Sequence, residues 1–209
     1  MVGSFDSSAA KAVSRCPTGI DGLDSILNGG IPRGNTILVT GSCGTGKTTL
    51  GIEFLVHGAL ANENSMFVSV TEDSGKLMNN IIPYDFFSQD LMKKGKLVLI
   101  DLPIIYERLG LSRTEFTAEE VDMLVKSVAN LAREMGVKRM VIDSITSVCY
   151  QLKSEEKIRN FILKLGTALS SHGCTTILIS EISPKADRYS LYGVEEAIAD
   201  GIIPVSYTH

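Results

Sequence analysis

Tryptophan is absent from the 209 residues, and the chain has only three histidines, four cysteines and six prolines. The scarcity of cysteine and histidine bears on metal binding. Cys16, Cys43, Cys149 and Cys174 form no C-x-x-C pair, so the spacing of a zinc site is missing. His57, His172 and His209 have no metal-ligand spacing and read as structural or exposed. No apolar run approaches the roughly 18 residues of a membrane span. The opening stretch MVGSFDSSAAKAVSRC has no apolar h-region and does not read as a signal peptide. Scattered thiols without a secretory leader suit a reducing compartment, so a cytoplasmic location and no membrane contact are expected. Positive charge is also short. Twenty Lys and Arg stand against 24 Asp and Glu, a net charge of −4 and a pI near 5.4. A broad basic surface for nucleic acid is not expected, although a local patch is compatible with these numbers. Internal repeats and low-complexity segments are missing as well.

What is present suits one large domain. The chain is 44% hydrophobic and long enough for a sizeable core. Residues 1–17 read as a polar, flexible N-terminal arm, and residues 18–209 as the domain. Strand-like runs occur at Thr36–Thr40, Met66–Thr71, Leu97–Asp101, Arg139–Asp143, Thr176–Ser180 and Ile202–Ser206, with Pro204 suiting an edge position in the last. Helical patterns alternate with them. Thr117-Ala-Glu-Glu120 is a capping-box sequence, followed by an apolar face of Val121, Leu124, Val125, Val128, Ala132 and Met135. A second helix begins near Ser154, with Glu155 and Glu156 in its first turn and Ile158, Phe161, Ile162, Leu165 and Leu169 facing inward. The alternation predicts an α/β fold, a mostly parallel central sheet with helices on both faces. Ligands in such folds sit at the C-terminal ends of the strands.

The most specific signal lies at the end of the first long strand. Gly41-Ser42-Cys43-Gly44-Thr45-Gly46-Lys47-Thr48 fits G-x-x-x-x-G-K-[ST], the P-loop or Walker A pattern, and Thr49 follows it. Glycines let the backbone turn tightly and present successive N–H groups to phosphate oxygens. Lys47 is expected to reach the β- and γ-phosphates, and the Thr48 hydroxyl to hold Mg²⁺. Cys43, in this turn before a helix, is expected to be the most alkylation-prone thiol.

Other strand ends carry acids. RMVIDS finishes at Asp143, the Walker B arrangement for a carboxylate supporting Mg²⁺ opposite the P-loop threonine. FVSVTED ends in Glu72 and Asp73. One reading makes Glu72 the group that orients water in line with the γ-phosphate, placed on a strand beside the P-loop strand; the other makes both acids solvated caps of the next helix. Glu181, closing TILISE, is a γ-phosphate sensor or a loop acid. Asp101 reads as a cap. The stretch SPKADRYSLYG offers Lys185, Arg188, Tyr189 and Tyr192 for phosphate contact and base stacking, or else a subunit contact.

Together these blocks resemble a known family. TGIDGLDSILNGGIPRGNTILVTGSCGTGKTTLGIEFL is similar to the opening of KaiC-type ATPases of the RecA superfamily, and FVSVTED, VIDSITSV and YGVEEAIADGII resemble later blocks in order. The resemblance runs from residue 18 to about 206 and is of the archaeal-type, single-domain kind. It implies a RecA-like P-loop NTPase with ATP and Mg²⁺ as cofactors, homo-oligomers stacked as hexameric rings, the P-loop at Gly41–Thr48, Walker B at Asp143 and the catalytic acid at Glu72. Two departures stand out. The family's adjacent glutamates read Thr71-Glu72 here, and Asp73 is too short and too far along to replace the first. The family's Lys-x-Arg finger, which acts on a neighbour's nucleotide, is not reached by residue 209. A Mg²⁺-dependent ATP-binding protein with slow ATPase activity is therefore expected. A nucleotide-gated scaffold with negligible hydrolysis and a recombinase-like DNA-binding ATPase are the alternatives.

Overall fold

The computed structural model describes residues 13–111, 115–183 and 188–207; most of the expected N-terminal arm and Lys185 lie outside them. Within the described residues a short ribbon precedes the main sheet. It pairs β1 (Arg15–Cys16) antiparallel with β2 (Ile31–Pro32), with α1 (Leu23–Ile26) between them. Cys16 is fully buried, so the described end of the expected arm packs into the domain rather than hanging free.

Six strands then build one sheet: β3 (Thr36–Gly41), β4 (Asn64–Ser69), β5 (Leu97–Asp101), β6 (Val137–Asp143), β7 (Thr175–Glu181) and β8 (Gly201–Pro204). Their order is β5-β4-β6-β7-β3-β8, and every pairing in it is parallel. Pro204 ends the edge strand β8, where a missing N–H costs no ladder bond on the open side.

The pleat divides the core in two. Ile37 and Val39 of β3, Phe67 of β4 and Val141 of β6 face α2 (Lys47–Leu60), α3 (Ser74–Ile81) and α4 (Gln89–Lys93). Leu38, Met66, Met140 and Leu178 face the other way, against α5 (Leu102–Leu109), α6 (Ala118–Glu134), α7 (Ile145–Leu152) and α8 (Glu155–Ser170). The short α9 (Val194–Ile198) packs on α8. Both faces are thus covered, which is why the strands are near-continuous apolar runs. Phe54 is fully buried in α2, and truncating such a side chain to Ala typically costs about 3–5 kcal/mol.

Local signals act as expected at the helix starts. Thr117 and Glu120 form a complete capping box on α6, and Ser154 caps α8.

Register brings the strand ends to one edge. Gly41 lies opposite Glu181, Asp143 opposite Ile179 and Ser69, and Ser69 opposite Asp101. One expectation is corrected. β4 does not lie beside β3, because β6 and β7 intervene. Glu72 therefore has to reach the P-loop across the sheet edge, not from an adjacent strand.

Candidate nucleotide site

The turn after β3 is shaped by its glycines. Gly44 and Gly46 have φ of +79° and +92°, a region that L side chains rarely adopt. Gly46 is the N-cap of α2, so Lys47 opens the helix and its first N–H groups point into the turn. Lys47 is buried, and its Nζ donates to the Ser42 carbonyl at 2.7 Å. Thr45 Oγ1 donates to the same carbonyl at 2.9 Å. Ser42 thereby ties the two ends of the loop together.

Thr48, one residue into the helix, reaches the end of β6. Its Oγ1 donates to Asp143 Oδ2 at 2.6 Å. Burial pushes the Asp143 carboxyl above its ordinary value. The Thr48 bond and the Lys47 charge oppose that shift, and the nearby Glu181 and Glu72 add to it. Cys43, Gly44, Gly46, Lys47, Thr48, Thr49, Asp143 and Glu181 line a cavity of about 250 Å³. A smaller cavity of about 120 Å³ joins Thr48, Asp143 and Glu181 to Thr71 and Glu72. The sequence-predicted P-loop and acids thus meet in one place, although four strands contribute them.

The two acids after β4 separate in role. Asp73 is the N-cap of α3 and accepts from Gly75 N and Lys76 N. Glu72 faces the small cavity and pairs with Lys76 at 3.4 Å. Asp101 is the N-cap residue of α5, yet its carboxylate accepts from Ser74 N and Oγ, both at 3.0 Å, and so braces the start of α3 instead. Glu181 is held through its backbone: its N–H donates to Thr146 Oγ1 at 2.9 Å. Thr146 had no motif signal of its own, since a threonine in an apolar helix carries none. Tyr207 was also illegible. Its hydroxyl donates to the Gly44 carbonyl at 2.5 Å across the tip of the loop.

Of the residues expected to contact nucleic acid, Tyr192 packs edge-on against Tyr150 with centroids 6.2 Å apart and is partly occupied by that contact. Arg188 and Tyr189 line a cavity beside the P-loop. His57 lies near Glu53, His172 near Ser171, and His209 is outside the described residues.

The donor set suits Mg²⁺. A hydroxyl and a carboxylate oxygen already converge within 2.6 Å, further carboxylates line the cavity, and a hard cation takes oxygen ligands.

A family model described as "ATPase: KaiC" matches residues 16–209. The chain belongs to the KaiC ATPase family. Similar proteins include the circadian clock oscillator protein KaiC of Thermostichus vulcanus, 32% identical over 199 residues, which cover 93% of this chain and 37% of that protein. The KaiC-family chain therefore spans little more than a third of the length of such relatives. A UPF0273 protein of Thermotoga maritima is 30% identical over 194 residues, covering 91% of this chain and 79% of the relative. The crystal structure of a KaiC-like protein from Pyrococcus horikoshii OT3 matches with a TM-score of 0.73 and 36% identity, covering 92% of this chain and 80% of that one. The fold is that of RecA-type KaiC domains, and the family is one of ATP-binding ATPases.

Proposed function

We propose that this KaiC-family chain is a Mg²⁺-dependent ATP-binding protein and a slow ATPase. The observation that carries the reading is the Thr48–Asp143 contact at 2.6 Å, facing the buried Lys47. Backbone N–H groups of residues 42–49 would hold the phosphates, and Lys47 would swing from the Ser42 carbonyl onto them. Thr48 and Asp143 would hold Mg²⁺, which when bound neutralises charge building up on the phosphoryl oxygens. Glu72 would orient the attacking water, and Glu181 would sense the terminal phosphate.

Slow turnover is argued from the acids. Thr71 stands where the resemblance to KaiC-type ATPases implies the first of two glutamates, and Glu72 pairs with Lys76 at 3.4 Å. Both features weaken water activation and leave phosphate binding alone. The same observation favours a second reading, a nucleotide-gated scaffold with negligible hydrolysis. In either case the output would be nucleotide-dependent self-assembly, as a homo-oligomer in the cytoplasm, or the binding of a protein partner.

Equilibrium binding tests the core of the proposal. Lys47→Ala is expected to abolish Mg²⁺-ATP binding, while Cys43→Ala stays within a few-fold, since position 43 would contribute mainly its N–H. Normal ATP affinity in Lys47→Ala would remove the P-loop assignment. Turnover with and without Glu72→Gln separates ATPase from scaffold.

A further inference from the structure

The chain beyond β8 runs along the phosphate loop. Thr40 of β3 lies opposite Pro204 of β8, and the next residue continues the contact: Val205 N donates to the Thr40 carbonyl at 2.7 Å. A side chain at Gly41 would meet the Val205 carbonyl at 2.2 Å, so this close passage needs the glycine that also opens the loop. Two residues on, Tyr207 reaches the tip of the loop. Its hydroxyl donates to the Gly44 carbonyl at 2.5 Å, and a side chain at Gly44 would stand 2.7 Å from that hydroxyl oxygen.

Packing does not explain the tyrosine. It is 61% exposed, and among the described residues no other aromatic ring stacks on it. A buried aromatic stabilises a fold through the area it removes from water, and this one removes little. What remains is the hydroxyl and the peptide group it touches.

That peptide group is otherwise loosely held. Gly44 has a φ of +79° and no side chain, so rotation of the peptide after it meets little steric resistance. At the other end of the peptide, Thr45 N–H donates to the Ser42 carbonyl at 3.4 Å, a long bond. The same carbonyl accepts from Thr45 Oγ1 at 2.9 Å and from Lys47 Nζ at 2.7 Å, and an oxygen with two lone pairs holds a third donor weakly. The carbonyl and N–H of one trans peptide lie in a plane and point in opposite directions. Fixing the Gly44 carbonyl outward on Tyr207 therefore fixes the Thr45 N–H inward, on the side of the Lys47 ammonium. A flipped peptide would turn the carbonyl into the cavity that Gly44 lines and set a partial negative charge against bound phosphate.

We infer that Tyr207 is a positioning residue for the phosphate loop: its hydroxyl holds the Gly44–Thr45 peptide in the orientation that accepts phosphate. The inference rests on the P-loop reading above. It ties the segment after the edge strand β8 to nucleotide affinity within one chain.

The test is calorimetric titration of the 209-residue chain with Mg²⁺-ATP, Mg²⁺-ADP and Mg²⁺-pyrophosphate, with the Thr45 amide resonance recorded on the nucleotide-free protein. Tyr207→Phe removes only the hydroxyl. It is expected to weaken all three ligands by a common factor of about five, the size of one neutral hydrogen bond, and to shift the Thr45 ¹H–¹⁵N resonance before any ligand is added. Tyr207→Ala should lose no more than Tyr207→Phe. The denaturant midpoints of both are expected to stay at the wild-type value, since the ring is exposed. Wild-type affinities in Tyr207→Phe would overturn the inference. So would a loss of affinity matched by a lower midpoint, which makes the contact structural, or a Tyr207→Ala loss confined to ATP and ADP, which assigns the ring to the base. Lys47→Ala separates the two levels. If it abolishes binding while Tyr207→Phe changes nothing, only this inference falls; if it binds all three ligands normally, the P-loop reading falls and takes this inference with it.

Discussion

Thr48 Oγ1 donates to Asp143 Oδ2 at 2.6 Å although the two residues stand 95 positions apart in the chain. The sheet order makes this possible. Only β7 separates the P-loop strand β3 from β6, and parallel register brings Gly41, Glu181 and Asp143 to one edge. A helix starting at Lys47 then leans its first turn over the end of β6. The contact joins the two residues proposed to hold Mg²⁺.

Cysteine chemistry gives a simple probe of the loop. Cys43 is exposed, whereas Cys16, Cys149 and Cys174 are buried. Burial pushes all three buried thiols up, that of Cys174 to about 12. Iodoacetamide on the native chain is expected to label Cys43 first, and Mg²⁺-ATP to protect it, since Cys43 lines the loop cavity. Peptide mapping that finds equal labelling with and without ATP would count against phosphate binding at this turn.

Stability should depend on a buried arginine at the back of the sheet. Arg139 of β6 is 2% exposed. Its Nε donates to Glu63 Oε2 at 2.6 Å, its Nη1 to the Pro17 and Phe54 carbonyls, and its guanidinium lies 4.9 Å over the Phe54 ring. Removing the carboxylate would strand this charge, so Glu63→Gln is expected to cost about 3 kcal/mol in a denaturant titration. Burial alone would raise the Glu63 carboxyl, but the bonds and charges of Arg139 and Arg33 more than offset it and hold it below the usual range. A depressed folded value means stability that is fully present above the unfolded value of about 4.3 and is lost as pH falls through the lower folded value. Acid unfolding should therefore begin below about pH 4.3 in the wild type, and that part of the pH dependence should vanish in Glu63→Gln. An unchanged acid limb would show that the pair contributes nothing.

Turnover should answer to the two positions after β4. Glu72→Gln is expected to lower phosphate release by on the order of tenfold or more with ATP affinity nearly unchanged, as loss of a group that positions water would. Thr71→Glu should move the rate in the opposite direction. Both are read from steady-state phosphate release, and equal rates in all three proteins would leave the scaffold reading standing.

Nucleic acid gives a contrary test. With a net charge of −4 and Tyr192 packed on Tyr150, no strong non-specific DNA binding is expected at physiological salt. Micromolar binding with a steep salt slope, weakened by Arg188→Ala, would instead support a recombinase-like ATPase.

The sequence was legible where a residue's job is local. The P-loop glycines and the Thr117 capping box each act through neighbours a few residues away, and each stands where its pattern predicts. Acids at strand ends were legible as a group, because ligands in such folds sit at the C-terminal ends of the strands. What each acid does was not. Asp73 caps its helix while Glu72 faces the cleft, and the choice depends on the turn after β4 rather than on residue type. Strand order was hidden too, since β4 and β6 read as equally apolar runs. The contacts of Thr146 with Glu181, Tyr207 with Gly44 and Arg139 with Glu63 join residues 35, 163 and 76 positions apart, which no local pattern signals.

The central claim is that the cleft holds Mg²⁺-ATP firmly and spends it slowly. It is tested most directly by measuring bound nucleotide and phosphate release on one sample of the 209-residue chain, with and without Mg²⁺, over a wide dilution range, with particle size followed by light scattering. The predicted result is Mg²⁺-dependent ATP binding with release below roughly one turnover per minute, far under ordinary enzyme rates, and nearly independent of protein concentration. No bound ATP, or a fast rate that collapses on dilution, would contradict it.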